Sequence, residues 1–185
     1  MQLKEIIRSS ALYLGLSDVS EYLENGGECG EETLKTLNIM TRLGNLIISE
    51  LASTYVPMLH TENISSVSGK IYFTALTFEA VKILKAETPF GDRADFKIFP
   101  EYMELKDGVY SVTYEYIPSN YGITDVIGYK TGDVPACALS YGLCAEYCLT
   151  QCRFEEAVSW RKRFIQAMEK FLTPKSRVAK GRAFI

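Results

Sequence analysis

DVPACALSYGLCAEYCLTQCRFEEAVSWRKRFIQAMEKFLTPKSRVAKGRAFI, residues 133–185, is the stretch around which the rest of the chain is organised. It opens on a helix-start signal. The Asp133 carboxylate can cap free amides of the first turn, and Pro135 lacks an N–H that such a turn would leave unbonded. Gly142 alone interrupts the run to Cys152, and Arg153 marks a turn or kink. Residues 154–172 predict a second helix, which Thr173-Pro174 ends, because a residue before proline is pushed out of the helical region. Lys175, Arg177, Lys180 and Arg182 follow without an acid, and the chain closes on Phe184-Ile185. The stretch predicts a helix hairpin with a basic arm.

Working outward, the first fifty residues predict helices that such a hairpin could pack against. Leu3, Ile6, Ile7, Ala11 and Leu14 recur at spacings of three and four, one helical face, and Gly15 ends the pattern. Ser17-Asp18 starts a short helix through Val19, Tyr22 and Leu23 that Asn25-Gly26-Gly27 breaks. Glu31 and Glu32 suit the first turn of a longer helix, where negative charge meets the positive end of the dipole. Leu34, Leu37, Met40, Leu43, Ile47 and Leu51 mark its buried face.

The pattern changes at Tyr55-Val56-Pro57. From there to about Thr131 the chain is rich in Val, Ile, Tyr, Phe and Thr, cut by turn residues at short intervals. Residues 70–73, 79–86, 96–99, 102–106 and 109–116 read as strands, within a module of five or six. Asp107-Gly108 sits between the last two, and Asp-Gly favours a two-residue hairpin because its positive dihedrals match strand twist. Pro118 closes the last strand, and residues 123–131 are too glycine-broken to assign.

These readings predict an α+β fold: a helical bundle with an inserted antiparallel β-rich module and an extended basic C-terminal arm. Residues 1–55 form the N-terminal helical part, 56–132 the module, 133–173 the C-terminal helical part and 174–185 the arm. None of the amphipathic helices could hold its apolar stripe in isolation, so the two helical parts should pack together.

The chain has 185 residues, 47% of them hydrophobic and 23% charged, ordinary values for one globular domain. Its net charge of −3 is unevenly spread. Up to Cys152 there are 11 bases against 20 acids, and from Arg153 onward 9 bases against 3 acids. Such asymmetry suits an end that meets an acidic surface or a polyanion. Residues 1–8 mix charges into their apolar positions, unlike a signal peptide, and no window approaches the length of a membrane span. The Asn63-Ile64-Ser65 sequon is therefore expected to be unused, and five cysteines, an odd number, point to reduced thiols.

Chemistry-bearing patterns are few. Cys144, Cys148 and Cys152 form CxxxCxxxC, but on a helix they would span about 12 Å, too far for one iron–sulfur cluster. With Cys137 and Tyr141 they read as one packed stripe, since free cysteine behaves as a small hydrophobe. His60, the only histidine, has neither a second His nor a Cys pair for zinc, and no nucleophile for a triad. The Gly26-Gly27-Glu28-Cys29-Gly30 cluster lacks the Lys-Ser/Thr of a phosphate loop and reads as a turn. Glu31-Glu32, Glu155-Glu156 and Asp92/Asp95 read as caps and solvated faces. No enzyme, cofactor or metal is expected.

The order of segments carries a resemblance. Leu3-Lys4-Glu5-Ile6-Ile7, a polar turn, Leu37-Asn38-Ile39-Met40 with Leu46-Ile47, then Tyr55-Val56-Pro57-Met58 precede the β insertion. After it come residues 138–147, Phe154-Glu155-Glu156-Ala157, residues 160–164 and the basic tail. This ordering resembles the head-to-tail connector (portal adaptor, or head-completion) proteins of tailed bacteriophages, over about two-thirds of the chain. The resemblance implies a structural virion protein made in the host cytoplasm. It would form a homo-oligomeric ring, commonly a dodecamer, at the portal vertex between the portal protein and the adjacent tail or nozzle protein, with genomic DNA passing through its lumen. It further implies that the arm docks on the portal, with Lys175, Arg177, Val178, Lys180, Arg182, Phe184 and Ile185 as contacts. The competing expectation is a nucleic-acid-binding protein that uses Arg161, Lys162, Arg163 and the tail as phosphate contacts, against the repulsion of an acidic remainder.

Overall fold

The computed structural model describes residues 1–129 and 134–173. The fold is α+β, with helices α1 (Leu3–Leu14), α2 (Ser17–Asn25) and α3 (Glu31–Glu50) before the strands and α4 (Ala136–Thr150) and α5 (Phe154–Leu172) after them. Between lie β1 (Met58–Ser66), β2 (Lys70–Tyr72), β3 (Ala80–Glu87), β4 (Lys97–Ile98), β5 (Tyr102–Glu104) and β6 (Gly108–Tyr116). No helix among the described residues is long and apolar enough to cross a membrane.

α4 is the centre of the bundle. Ala138, Leu139, Ser140, Gly142, Leu143, Cys144, Ala145, Tyr147 and Cys148 are all buried, which leaves it almost no solvated face. Two glycines let its neighbours approach closely. A Cβ built on Gly142 would stand 3.0 Å from Ile47 of α3 and 3.2 Å from Phe164 of α5, and one on Gly44 would stand 2.8 Å from Leu3 of α1. Ser10 Oγ reaches the Ser140 carbonyl at 3.2 Å, and the Cys144 thiol reaches the Ser10 carbonyl at 3.6 Å, so the polar atoms of the α1–α4 seam bond across it.

α1 and α4 end alike. Leu16 N donates to Ala11 O, and Arg153 N to Cys148 O, each closing the last turn over a left-handed residue. That residue is Gly15 (φ 73°) in the first case and Cys152 (φ 55°) in the second. Cys152 is therefore exposed on a turn, and Cys137 is exposed near the start of α4. Of the expected five-member stripe, Cys144 and Cys148 are buried and Tyr141 is half-buried against the core, while Cys137 in the first turn of α4 and Cys152 just beyond its end are exposed. At the start of α4 the N-cap is Pro135, and Asp133 lies outside the described residues.

Leu34 departs from its expected burial: it is exposed, because residues 31–36 of α3 hold no buried side chain and packing begins at Leu37. Past Glu50 the helix continues as one π-helical turn, Leu51–Tyr55, that delivers the chain to β1.

The strands form two small antiparallel sheets, ordered β1-β6-β3 and β2-β5-β4, around Ile71, Leu76, Ile83, Met103, Val112 and Tyr114. The expected β5–β6 hairpin at Asp107-Gly108 does not form: β6 pairs with β1 and β3, and β5 with β2 and β4. Gly69 intervenes. Its carbonyl accepts from Leu105 N at 3.0 Å and its N–H donates to Asp107 Oδ1 at 2.5 Å. Those bonds carry the chain out of one sheet and into the other. The expected strand at 96–99 shrinks to Lys97–Ile98, both exposed at the sheet edge. β1, a nine-residue strand rich in polar residues, has no counterpart among the expected ones.

Residues 121–129, which include the described part of the glycine-broken segment 123–131, lace the module to the bundle. Lys4 N donates to Ile123 O at 2.8 Å and Leu3 N to Asp125 O at 3.3 Å, satisfying amides that the first turn of α1 cannot bond itself. Asn45 of α3 clasps Tyr121, accepting from its N–H at 2.7 Å and donating to its carbonyl at 2.9 Å. Met58, Ile127 and Tyr129 belong to the core of the bundle.

Candidate interaction surface

α5 buries Ala157, Phe164 and Met168, and carries Phe154, Val158 and Ile165 on an adjacent, exposed strip, Val158 being 69% exposed. Three consecutive bases follow Trp160. Successive helical residues are about 100° apart, so Arg161, Lys162 and Arg163 diverge. Arg161 forms a bidentate pair with Glu50 of α3, one arm (Nη1 to Oε2) at 2.9 Å, and its guanidinium lies 4.8 Å from the Phe164 ring. The hydrogen bonds to Glu50 raise its already high pKa, outweighing burial. Lys162 lies on the outer face beside Val158 and Ile165. Arg163 stacks over Trp160 at 4.6 Å.

Arg163 opens onto a groove of about 790 Å³ between α4 and α5, lined by Pro135, Tyr141, Arg163, Gln166, Lys170 and Phe171 among others. None of its lining residues is acidic. At one end, Tyr13, Tyr141 and Trp160 form a ring cluster with centroids 5.6 to 5.8 Å apart. Burial, then the neighbouring Tyr141 and thiols, raises the Tyr13 pKa. The surface is thus cationic and aromatic at once, suited to a segment that carries carboxylates or phosphates.

The β module has a second cleft of about 790 Å³, walled by Tyr72, Phe73, Phe78 and Pro100 among others. Behind it Glu62 accepts from Thr77 N at 2.9 Å, Thr77 Oγ1 at 2.7 Å and Tyr114 Oη at 2.6 Å. Burial alone would raise the Glu62 carboxyl, but these bonds hold it below the ordinary carboxylate range. Burial, followed by the bond to Glu62, pushes Tyr114 up to about 12. Both groups are committed to joining β1, β6 and the segment before β3. His60 sits in the same wall, edge-on to Phe78 at 4.9 Å and to Tyr114 at 5.7 Å, as a half-buried aromatic.

Cys144 and Cys148 are held as thiols: burial pushes Cys144 up to about 12 and raises Cys148 as well. Among the described residues no three His, Cys, Asp or Glu side chains are grouped to hold a metal ion. Lys175, Arg177, Val178, Lys180, Arg182, Phe184 and Ile185 lie outside the described residues. The groove itself was missed in the sequence, although Arg163, Gln166 and Lys170 stand three and four apart, the spacing of one helical face. Its other wall comes from α4, and only the hairpin brings the two together. No protein-family model matches the chain, and neither does any curated protein sequence.

Proposed function

We propose that the chain is a structural adaptor that assembles as a homo-oligomeric ring at the portal vertex of a tailed-phage capsid. It joins the portal to the next tail or nozzle protein and lines the channel through which DNA leaves, with residues 174–185 contacting the portal. The observation that carries this reading is a second, exposed apolar strip on α5. The helix already covers the bundle core with Ala157, Phe164 and Met168, yet presents Phe154, Val158 and Ile165 outward. Apolar residues grouped on an outer helical face mark a surface made for another protein. The end of α5 also returns to the end of the bundle from which the sheets project, since Phe171 shares a groove with Pro135 while Val134, Tyr129 and Met58 share one core. The segment order described above supports the same reading.

The test is the native mass of the protein alone and mixed with a portal ring, with and without residues 174–185. A ring on the portal, lost when the tail is removed while the circular dichroism spectrum is unchanged, is the expected outcome. Affinity for random DNA that falls with a log–log salt slope of about 0.9 per neutralised phosphate, with no portal binding, would replace this reading with the nucleic-acid one.

A further inference from the structure

We infer that the α4–α5 groove of one copy receives the acidic turn between α2 and α3 of the next. The inference rests on the ring reading and names its mating surfaces. The groove supplies two cations, Arg163 and Lys170, an aromatic wall and no carboxylate. The chain's own tail is a poor occupant, because Lys175, Arg177, Lys180 and Arg182 carry the same sign as the groove.

The complementary surface is residues 24–32, which hold Glu24, Glu28, Glu31 and Glu32, three glycines and no base. Every residue of the turn is exposed but Cys29, which is half-buried. Gly26 and Gly27 adopt positive φ, 69° and 109°, and a Cβ built on either would meet nothing within 4 Å, so the turn stands clear of the body. Glu24 pairs with Arg8 at 3.0 Å and Glu31 with Lys35 at 2.6 Å. Glu28 and Glu32 have no ion-pair partner among the described residues. A projecting turn with two unspent carboxylates therefore faces outward from α2 and α3, and a groove with two cations lies between α4 and α5. Unlike surfaces that mate make a head-to-tail contact, which closes into a ring when the rotation between copies allows it. Charge complementarity of this kind fixes register and speeds encounter, and is screened by salt.

Two full-length variants test it: Arg163→Glu with Lys170→Glu in the groove, and Glu28→Lys with Glu32→Lys in the turn. The substituted residues are exposed, and circular dichroism confirms folding. Each variant alone should self-associate about tenfold or more weakly than the parent in sedimentation velocity. Mixed in equal amounts they should assemble again with the two variants alternating, because intact turn meets intact groove at one contact and reversed turn meets reversed groove at the next. All four changes in one chain should restore assembly. Assembly of the parent that neither variant alters, or a mixture of folded variants that stays monomeric, would overturn the inference while leaving the ring reading intact. A parent that is monomeric at every concentration overturns this inference, while the portal assay still decides the ring. Binding of a fluorescent oligothymidylate that the groove variant abolishes, with assembly unchanged, would assign the groove to nucleic acid instead.

Discussion

Cys152 occupies a position that glycine fills at the end of α1. Both residues close a helix with the same pair of backbone bonds, but a side chain in the left-handed region costs about 1–2 kcal/mol. Cys152→Gly should therefore stabilise the protein by about 1 kcal/mol, read as a higher urea midpoint at unchanged slope. Glu62 makes the opposite case. Its folded pKa is lowered, so its contribution is present above the unfolded value of about 4.3 and is lost as pH falls through the folded value. Glu62→Gln should destabilise by about 1 kcal/mol at neutral pH, and the gap should narrow below about pH 4.3 in denaturation curves taken across the acid range. Neither residue's role was legible in the sequence. A left-handed cysteine looks like any other residue after a helix, and the partners of Glu62 lie 15 and 52 positions away.

At the scale of elements, the helices were legible and the strand pairing was not. A 3.6-residue repeat is a local property, and α1, α2, α3 and α5 show it plainly. α4 does not, because a helix with almost no solvated face has little amphipathic contrast, and its reading as one packed stripe held at Tyr141, Cys144 and Cys148 but not at the exposed Cys137 and Cys152 near its ends. Pairing depends on residues far apart: Asp107 obeys the local hairpin rule, yet its carboxylate is taken by Gly69, 38 positions earlier. The glycines of α4 and α3 are similarly silent until the helices meet. Gly142→Leu should push Ile47 and Phe164 apart and cost about 1–3 kcal/mol or more by overpacking, measured by thermal unfolding.

For the whole molecule, the boundary between bundle and module is narrower than composition suggests. Met58 and Tyr116 face each other in register at the base of the first sheet, and neighbouring strands lie about 5 Å apart. Replacing residues 59–115 with a short glycine linker should leave the helical signal in circular dichroism close to that of the intact helices. Removing 58–129 should not, because it takes Met58, Ile127, Tyr129 and the segment that bonds the first turn of α1.

The central position of α4 also sets a timetable for synthesis. α1 and α3 leave the ribosome long before the helix they enclose, while everything β1 to β6 needs emerges in one contiguous piece. At about 5–20 residues per second, the gap between the end of α3 and the end of α4 lasts about 5–20 s. During that interval Leu3, Ile7, Met40 and Ile47 have no α4 to cover them, so the nascent chain offers its binding sites for chaperones at its N-terminal end while the middle of the chain is already folding.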